Sequence, residues 1–165
     1  MKPINFKKWI DENRHLLKPP VGNQQIWLDR EFMITVVGGP NSRNDFHINE
    51  GEEFFYQVEG DINLQMLEGG KPVDFPIREG EIFLLPPNVP HSPQRPAGTV
   101  GLVIERKRLA HEIDTFLWVC RQCSRELWRK SVHLHDIVKD LPPVFAEYKG
   151  NPEHRRCKDC GTLND

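Results

Sequence analysis

The sequence lacks both a long apolar segment and an excess of one charge. In its 165 residues no apolar run approaches the roughly 20 residues of a membrane-spanning helix, and charges interrupt the first twenty residues, where a signal peptide would be apolar. The 22 basic and 24 acidic residues give a net charge of -2, which provides no overall field to attract nucleic acid. We therefore expect a cytoplasmic protein whose partners include neither membrane nor nucleic acid.

Cysteine is scarce, and the cysteines that are present form two C-x2-C pairs near the carboxyl end. They are Cys120, Cys123, Cys157 and Cys160. Two such pairs supply four thiolates, which complete a tetrahedral shell around one ion. Two disulfides, or four unrelated thiols, are the alternatives, and the lack of a secretion signal disfavours disulfides. We predict a closed, structural metal site that holds iron or zinc.

Proline and glycine are spread along the chain, with 14 and 12 copies, and divide it into short segments. Residues 5–17 have apolar side chains at helical spacing, which predicts an amphipathic helix that ends before Pro19 and Pro20. Between about 25 and 105, short alternating runs predict strands and hence an all-β sandwich or barrel. The predicted strands are QQIWLD, EFMITVVG, EFFYQVEG, DINLQMLE, KPVDFPI, EIFLLP and TVGLVIE.

The composition changes after Glu105 to charged and mixed residues. We place a boundary near residues 110–116, between a barrel with its N-terminal helix at 1–112 and a metal-binding extension at 113–165. His133 and His135 lie between the cysteine pairs. We do not expect them to be ligands, because four thiolates already fill a tetrahedral shell.

A second candidate metal site lies in the predicted barrel. His47 and Glu53 stand on either side of the turn INEGE, and His91 follows a proline-rich turn. Two histidines and one carboxylate on one face of a metal are typical of non-haem iron(II) oxygenases, which keep other positions open for substrate and dioxygen. A single histidine near a strand end is more often hydrogen-bonded or solvated. That interpretation applies to His15, His111 and His154.

The spacing around this second site resembles the two motifs of the cupin superfamily. The matching residues are His47, Glu53 and Gly60 in the first motif and Gly80, Pro86 and His91 in the second. The first motif usually opens with two histidines, whereas Asp45 occupies the first of those positions here. The resemblance implies a jelly-roll barrel, or double-stranded β-helix, with three protein ligands: His47, Glu53 and His91.

Longer blocks resemble the 3-hydroxyanthranilate 3,4-dioxygenase family, in the form that has a rubredoxin-like tail. The blocks are HLLKPPVGN, VVGGPNSRNDFH, EEFFYQVEG, EGEIFLLPPNVPHSPQRP, LVIER and both cysteine pairs. The resemblance implies a homodimeric iron(II) enzyme that opens the ring of 3-hydroxyanthranilate with dioxygen. The product, 2-amino-3-carboxymuconate semialdehyde, would cyclise to quinolinate, a precursor of NAD.

The same resemblance implies roles for side chains beside the metal. Arg43 would stand next to dioxygen, Arg95 would hold the substrate carboxylate, and Glu105 would contact the amino and hydroxyl groups as a general base. Glu53 would border the substrate as well as the metal. A planar guanidinium suits a carboxylate because it forms paired hydrogen bonds. Without the resemblance, a salt bridge between Arg95 and Glu105 at the barrel rim is the simpler interpretation.

The sequence is compatible with three other functions. The barrel could be a non-catalytic, metal-dependent binding module or sensor, or a cupin enzyme of another reaction type such as an isomerase. The segment RRCKDCG could belong to a zinc ribbon for nucleic acid, although no aromatic-interleaved basic face accompanies it. Whether the dioxygenase step would serve NAD synthesis or the breakdown of tryptophan or nitroaromatics is equally open.

Overall fold

The structure is a computed structural model that describes residues 2–19, 22–135 and 137–164. Within those residues, eleven strands and three α-helices follow one another. The strands are β1 (Asn23–Gln25), β2 (Phe32–Gly38), β3 (Asp45–Ile48), β4 (Glu53–Glu59), β5 (Ile62–Glu68), β6 (Lys71–Ile77), β7 (Ile82–Leu85), β8 (His91–Gln94), β9 (Val100–Arg106), β10 (Asp114–Val119) and β11 (Glu126–Val132). The helices are α1 (Phe6–Asn13), α2 (Ile137–Gly150) and α3 (Pro152–Arg155).

The strands form two antiparallel sheets. One has the order β1-β2-β9-β4-β7 and the other β11-β10-β3-β8-β5-β6. Apolar side chains from both sheets meet in the largest core cluster, which includes Phe55, Leu64 and Val103. Along β4, buried and half-buried residues alternate, as expected for a strand with one face on a core. This arrangement is a cupin jelly roll and confirms the predicted fold class.

The N-terminal helix packs outside the five-stranded sheet, where Ile10 and Leu17 are buried with Val36. The α-helix is shorter than the predicted 5–17, because a single 3-10 turn continues the chain at Arg14–Leu16. Pro20, part of the predicted stop, lies outside the described residues. The run QQIWLD is also only partly strand, since β1 ends at Gln25. In the described part of the chain, no helix has the length and apolar character needed to cross a membrane.

The segment after residue 113 begins as part of the barrel sheet. β10 pairs with β3, so that Phe116 lies opposite His47, and β11 pairs with β10. α2 covers this pair of strands through Val144 and Tyr148, which are buried against Trp118. The division of the chain at 112/113 remains a prediction. The first strand of the extension nevertheless lies next to a strand that carries a candidate metal ligand.

Candidate active site

The three predicted ligands of the barrel come together between the two sheets. His47 in β3 is the register partner of His91 in β8, and Glu53 begins β4 in the opposite sheet. Oε1 of Glu53 lies 3.5 Å from Nδ1 of His47 and 3.3 Å from Nε2 of His91. All three residues are buried. Residues 44 positions apart in sequence therefore present their donor atoms to one point.

Each imidazole is held by a hydrogen bond at the ring nitrogen that faces away from Glu53. Nε2 of His47 lies 2.6 Å from Oδ2 of Asp114, and Nδ1 of His91 lies 2.9 Å from the carbonyl oxygen of Val89. When the rings are neutral, donation of the outer N–H to these oxygens leaves the inner nitrogen of each ring, beside Glu53, able to bind a cation. The sequence did not indicate Asp114, whose only signal was an acid at the start of an apolar strand.

The donor set fits a divalent cation. Cis ligands about 2.1 Å from an octahedral ion are about 3.0 Å apart, close to the separations of Glu53 Oε1 from the two histidine nitrogens. Burial opposes the charge of Glu53, but the two imidazoles outweigh it and hold the pKa of Glu53 well below its usual value. Likewise, burial lowers the pKa of His47, but hydrogen bonds to Asp114 and Glu53 raise it to about 9, so a metal would compete with a proton for this ring.

Arg43 is anchored by Asp45, the residue that replaces the first motif histidine. The Arg43 Nε donates to Oδ1 of Asp45 over 3.1 Å, and Nη2 donates to Oδ2. Burial disfavours the guanidinium charge, but the fully buried Asp45 carboxylate raises the pKa of Arg43. Asp45 thus positions a cation beside the site instead of binding a metal.

Arg95 is a buried guanidinium that makes no ion pair with any described residue. It is 4% exposed, and its Nη1 donates a hydrogen bond to Oε1 of Gln57 over 3.4 Å. Burial and the charge of Arg43 lower the pKa of Arg95 to about 10, so it stays charged at neutral pH. Its backbone is held by Asn41, whose Oδ1 accepts from the Arg95 N–H over 2.9 Å. A buried cation without a carboxylate partner is suited to an anionic ligand.

The path of the Arg95 side chain depends on a glycine in β9. A Cβ added to Gly101 would lie 2.7 Å from Nη1 of Arg95 and 2.9 Å from Oε1 of Gln57, which is closer than real side chains approach. Gln57 is buried and also donates to the carbonyl oxygen of Val100 over 3.2 Å. Gly101 therefore leaves room for the guanidinium between the strands.

Glu105 lies directly opposite Glu53 in the register of β9 and β4. Burial and the Glu53 charge raise the pKa of Glu105, although Arg108 opposes them. The Arg108 Nη1 donates to Oε2 of Glu105, and no described residue donates to Oε1. The alternative interpretation, a salt bridge between Arg95 and Glu105, is absent from the described residues. Glu105 pairs instead with Arg108, which the sequence did not single out.

The charges around the site leave a deficit of positive charge. They comprise four carboxylates, Asp45, Glu53, Glu105 and Asp114, and three guanidiniums, Arg43, Arg95 and Arg108. The pKa of His47 is raised to about 9, so a proton on its ring compensates the remaining negative charge at neutral pH. A metal ligand must be a neutral imidazole, so a bound cation would take over this compensation from the proton.

The four cysteines form a second, separate cluster. Their Sγ atoms all lie within 4.8 Å of one another, and Cys120–Cys160 and Cys123–Cys157 are each separated by 3.5 Å. Disulfides require about 2.05 Å, whereas a tetrahedron with bonds of about 2.3 Å has edges of about 3.8 Å. The geometry fits a shared metal ion.

The two cysteine hairpins repeat one local structure. The N–H of Ser124 donates to the carbonyl oxygen of Cys120 over 2.8 Å, and that of Gly161 donates to Cys157 over 2.9 Å. Both donors have left-handed backbone conformations, with φ of 60° and 75°. Each hairpin therefore directs its two thiols to the same side.

The remaining histidines lie outside both donor sets. His133 and His135 are exposed and are not members of the cysteine cluster. His111 lies near Glu50 and Glu112, but both carboxylate oxygens of Glu112 accept from Arg106.

Comparisons with known proteins agree with this geometry. The family model described as 3-hydroxyanthranilic acid dioxygenase matches residues 1–149. A Ruegeria pomeroyi protein named 3-hydroxyanthranilate 3,4-dioxygenase is 53% identical over 165 residues, 99% of this chain and 92% of its own. One of the same name from Paraburkholderia phytofirmans is 53% identical over 164 residues, 99% of this chain and 94% of its own. Among solved structures, protein NMB1881 from Neisseria meningitidis has a TM-score of 0.50 and 23% identity, covering 64% of this chain and 99% of its own, a likeness of fold alone.

Proposed function

The chain belongs to the 3-hydroxyanthranilic acid dioxygenase family, and we propose that its barrel site opens the ring of 3-hydroxyanthranilate with dioxygen. The product would be 2-amino-3-carboxymuconate semialdehyde, which cyclises to quinolinate. The observation that carries this proposal is the buried guanidinium of Arg95, which makes no ion pair with a described residue and whose charge interacts with Glu53 of the donor set. A metal site alone would suit many cupins, whereas this combination suits an aromatic acid that also chelates a metal.

The barrel metal is proposed to be iron(II), held by His47, Glu53 and His91. Two imidazoles and one carboxylate are the ligand type of non-haem iron oxygenases. Iron(II), when bound, supplies the electron transfer that allows dioxygen to react with the aromatic ring. The cysteine cluster is proposed to hold a second iron or a zinc ion in a structural role, because four thiolates complete its shell.

Arg95 is proposed to bind the substrate carboxylate. Its guanidinium can form two parallel hydrogen bonds to a carboxylate, which would provide the partner that it lacks among the described residues. Gln57 accepts from Nη1 and orients the fork. The carboxylate clamp thereby fixes which edge of the aromatic ring, the one with the neighbouring amino and hydroxyl groups, faces the donor set.

Glu105 is proposed to take the phenolic proton of the substrate. Its raised pKa makes it a stronger base than an ordinary carboxylate. Arg108 binds Oε2, so Oε1 is the atom available to receive the proton. Transfer of a proton to Glu105 also removes one negative charge that lies opposite Glu53.

Arg43 is proposed to stabilise negative charge that develops on dioxygen. The two hydrogen bonds to Asp45 fix its guanidinium before any ligand arrives. A preorganised cation of this kind costs little reorganisation during the reaction. This residue should affect the chemical step more than substrate binding.

The proposed reaction can be tested by oxygen uptake and ultraviolet-visible spectra after 3-hydroxyanthranilate is added to protein reconstituted anaerobically with iron(II). We expect equimolar consumption of oxygen and substrate and an absorbance of the semialdehyde that decays as quinolinate forms. A His47→Ala control should show neither oxygen uptake nor the semialdehyde absorbance. Substrate that binds and is not consumed would support the alternative, a non-catalytic binding module, and would remove the roles of Arg43 and Glu105.

Two copies of the chain are proposed to associate through the outer face of the five-stranded sheet. Ile82 and Leu84 project from its edge strand β7 and are 66% and 51% exposed. Exposed apolar side chains in a row on an edge strand favour pairing with another copy. Sedimentation of Ile82→Lys should give a monomer where the unchanged chain gives a dimer, and a dimer in the variant would remove this face from consideration.

The reaction is proposed to take place in the cytoplasm, with neither nucleic acid nor membrane as a partner. Four free thiols whose Sγ atoms lie within 4.8 Å of one another suit a reducing compartment. Binding to DNA or RNA that weakens with salt would contradict the proposal, since such a dependence reports phosphate contacts.

A further inference from the structure

Arg108 is a buried side chain that joins two functional carboxylates. Its side chain is 8% exposed, and those of Glu105 and Asp114 are 11% and 1% exposed. The Arg108 Nε donates to Oδ1 of Asp114 over 2.9 Å and Nη2 donates to Oδ2 over 2.8 Å. Nη1 of the same guanidinium donates to Oε2 of Glu105. One planar group is therefore shared by two acids.

The contacts continue from Arg108 to a candidate metal ligand. Oδ2 of Asp114, which accepts from Arg108 Nη2, lies 2.6 Å from Nε2 of His47. The inner nitrogen of the His47 ring faces Glu53. Hydrogen bonds thus run without interruption from Glu105 through Arg108 and Asp114 to His47.

The guanidinium also balances charge that would otherwise be buried without compensation. Glu105 lies opposite Glu53, and Asp114 is the most deeply buried of the three acids. Arg108 supplies the one side-chain cation that contacts both Glu105 and Asp114 among the described residues. A lysine ammonium, which is a compact point charge, cannot reproduce a fork whose separate edges bind separate carboxylates.

We propose that Arg108 is a positioning residue that holds Asp114 against the metal ligand His47 and Glu105 against the substrate, so that one guanidinium sets both cation affinity and substrate orientation. The substrate half rests on the proposed function, and the cation half does not. The Asp114 carboxylate fixes the His47 ring, and outer partners of this kind typically change metal affinity by about 10–100-fold.

Cobalt(II) binding without air tests the cation half. The total bound cobalt is measured by equilibrium dialysis, and the tail share by its thiolate charge-transfer absorbance, so that the barrel share follows by difference. We expect Arg108→Gln and Asp114→Asn each to weaken barrel binding by about tenfold or more and to alter the barrel ligand-field bands. The tail absorbance should be unchanged in both variants, which provides an internal check on folding.

Arg106→Gln is the matched control, because Arg106, the last residue of β9, forms a comparable two-bond pair with Glu112, six residues on, in the loop that contains Arg108. It touches neither Glu105 nor Asp114 through any described hydrogen bond. We expect cobalt affinity and bands like those of the unchanged chain. If Arg106→Gln reproduced the effect of Arg108→Gln, the loop as a whole would be responsible and the proposal would be wrong.

Anaerobic titration with 3-hydroxyanthranilate tests the substrate half on the cobalt-loaded protein. We expect Arg108→Gln to weaken binding by about tenfold at full cobalt occupancy, and Arg108→Lys to recover only part of the cobalt and substrate affinity. Full recovery by lysine, or unchanged affinities in Arg108→Gln, would overturn the proposal. If the unchanged chain failed to bind the substrate, the proposed function would fail while the cobalt result still decided the role of Arg108.

Discussion

The two candidate metal sites differ in what surrounds the donor atoms. In the barrel, three donors converge from both sheets, and charged side chains that can bind a ligand stand around them. In the tail, four thiols converge from two hairpins and would complete the tetrahedral shell of one ion. An open shell can bind substrate and dioxygen, whereas a closed shell can only hold the chain together. We therefore propose that the barrel site carries the chemistry and that the tail site has a structural role.

The sites also differ in how the chain builds them. Each cysteine hairpin closes on itself through a bond from residue i+4 to residue i, so its geometry is local. The barrel donors depend on the pairing of β3 with β8 and β10, and on Asp114 and Val89 behind the imidazoles. Substitutions at residues outside the two donor sets should therefore affect the geometry of the barrel site more than that of the tail site.

The largest expected effect on turnover is that of His91→Ala. Loss of an imidazole anchored at Val89 removes one of three barrel donors, and we expect turnover to fall to the background rate. The tail should still bind its metal, so the metal content should fall by one ion per chain. His15→Ala, at an exposed histidine, is the control and should change neither quantity. Turnover above the background rate in His91→Ala would contradict the role of His91 as a ligand of the catalytic metal.

Arg95→Ala and Arg43→Ala should separate binding from chemistry. Truncation of one partner of a buried charge pair costs about 2–5 kcal/mol, so Arg95→Ala should weaken anaerobic substrate binding by about 10²-fold or more. Arg43→Ala should lower kcat by about 10²-fold with little change in substrate affinity. Stopped-flow binding and oxygen uptake measure the two quantities. Unchanged turnover in Arg43→Ala would refute its role with dioxygen.

Gly101→Ala should have a smaller effect of the same kind. The added methyl would press against the ends of Arg95 and Gln57, and displacement of a positioned group costs up to about 10²-fold. We expect substrate affinity to fall by about tenfold, because the guanidinium shifts but keeps its charge. Gly150→Ala, where an added Cβ has no described atom within 4 Å, should leave affinity unchanged. Equal affinities for the two variants would show that the space left by Gly101 does not control substrate binding by Arg95.

Cys160→Ser should have the smallest effect on turnover. Loss of one exposed thiol opens the closed shell, and we expect residues 150–164 to become sensitive to limited proteolysis. Turnover per barrel-bound iron should stay within about twofold, because Cys160 belongs to a separate donor cluster and distant sites usually act independently. A protease pattern like that of the unchanged chain would argue against a structural tail metal.

Much of the site could be predicted because its signals are local. The intervals among His47, Glu53 and His91 reflect the lengths of turns and strands, and the structure brings their donor atoms together. The C-x2-C spacing likewise predicted a cysteine cluster that the structure contains. The β-rich fold was predicted correctly, since alternation along strands such as β2 and β4 is visible in the sequence.

The parts of the site that the sequence did not predict depend on contacts between residues far apart in the chain, which no local sequence pattern indicates. Asp114 reaches His47 because β10 pairs with β3, 67 residues away in sequence, and Arg108 reaches Asp114 through the loop between β9 and β10. Asp45 was noted only as a departure from a motif, and its bond to Arg43 emerged from the structure. The helix was predicted too long because apolar spacing does not distinguish an α-helix from a following 3-10 turn.

The central claim is that the open barrel site alone carries turnover. Stepwise anaerobic addition of iron(II) to Cys160→Ser, followed by measurement of the oxygen-uptake rate with 3-hydroxyanthranilate, tests it most directly. The account predicts a rate that rises linearly and levels off at one iron per chain, at the maximal rate of the unchanged protein. No uptake in Cys160→Ser with its barrel site filled, or a requirement for a second iron per chain, would contradict the account.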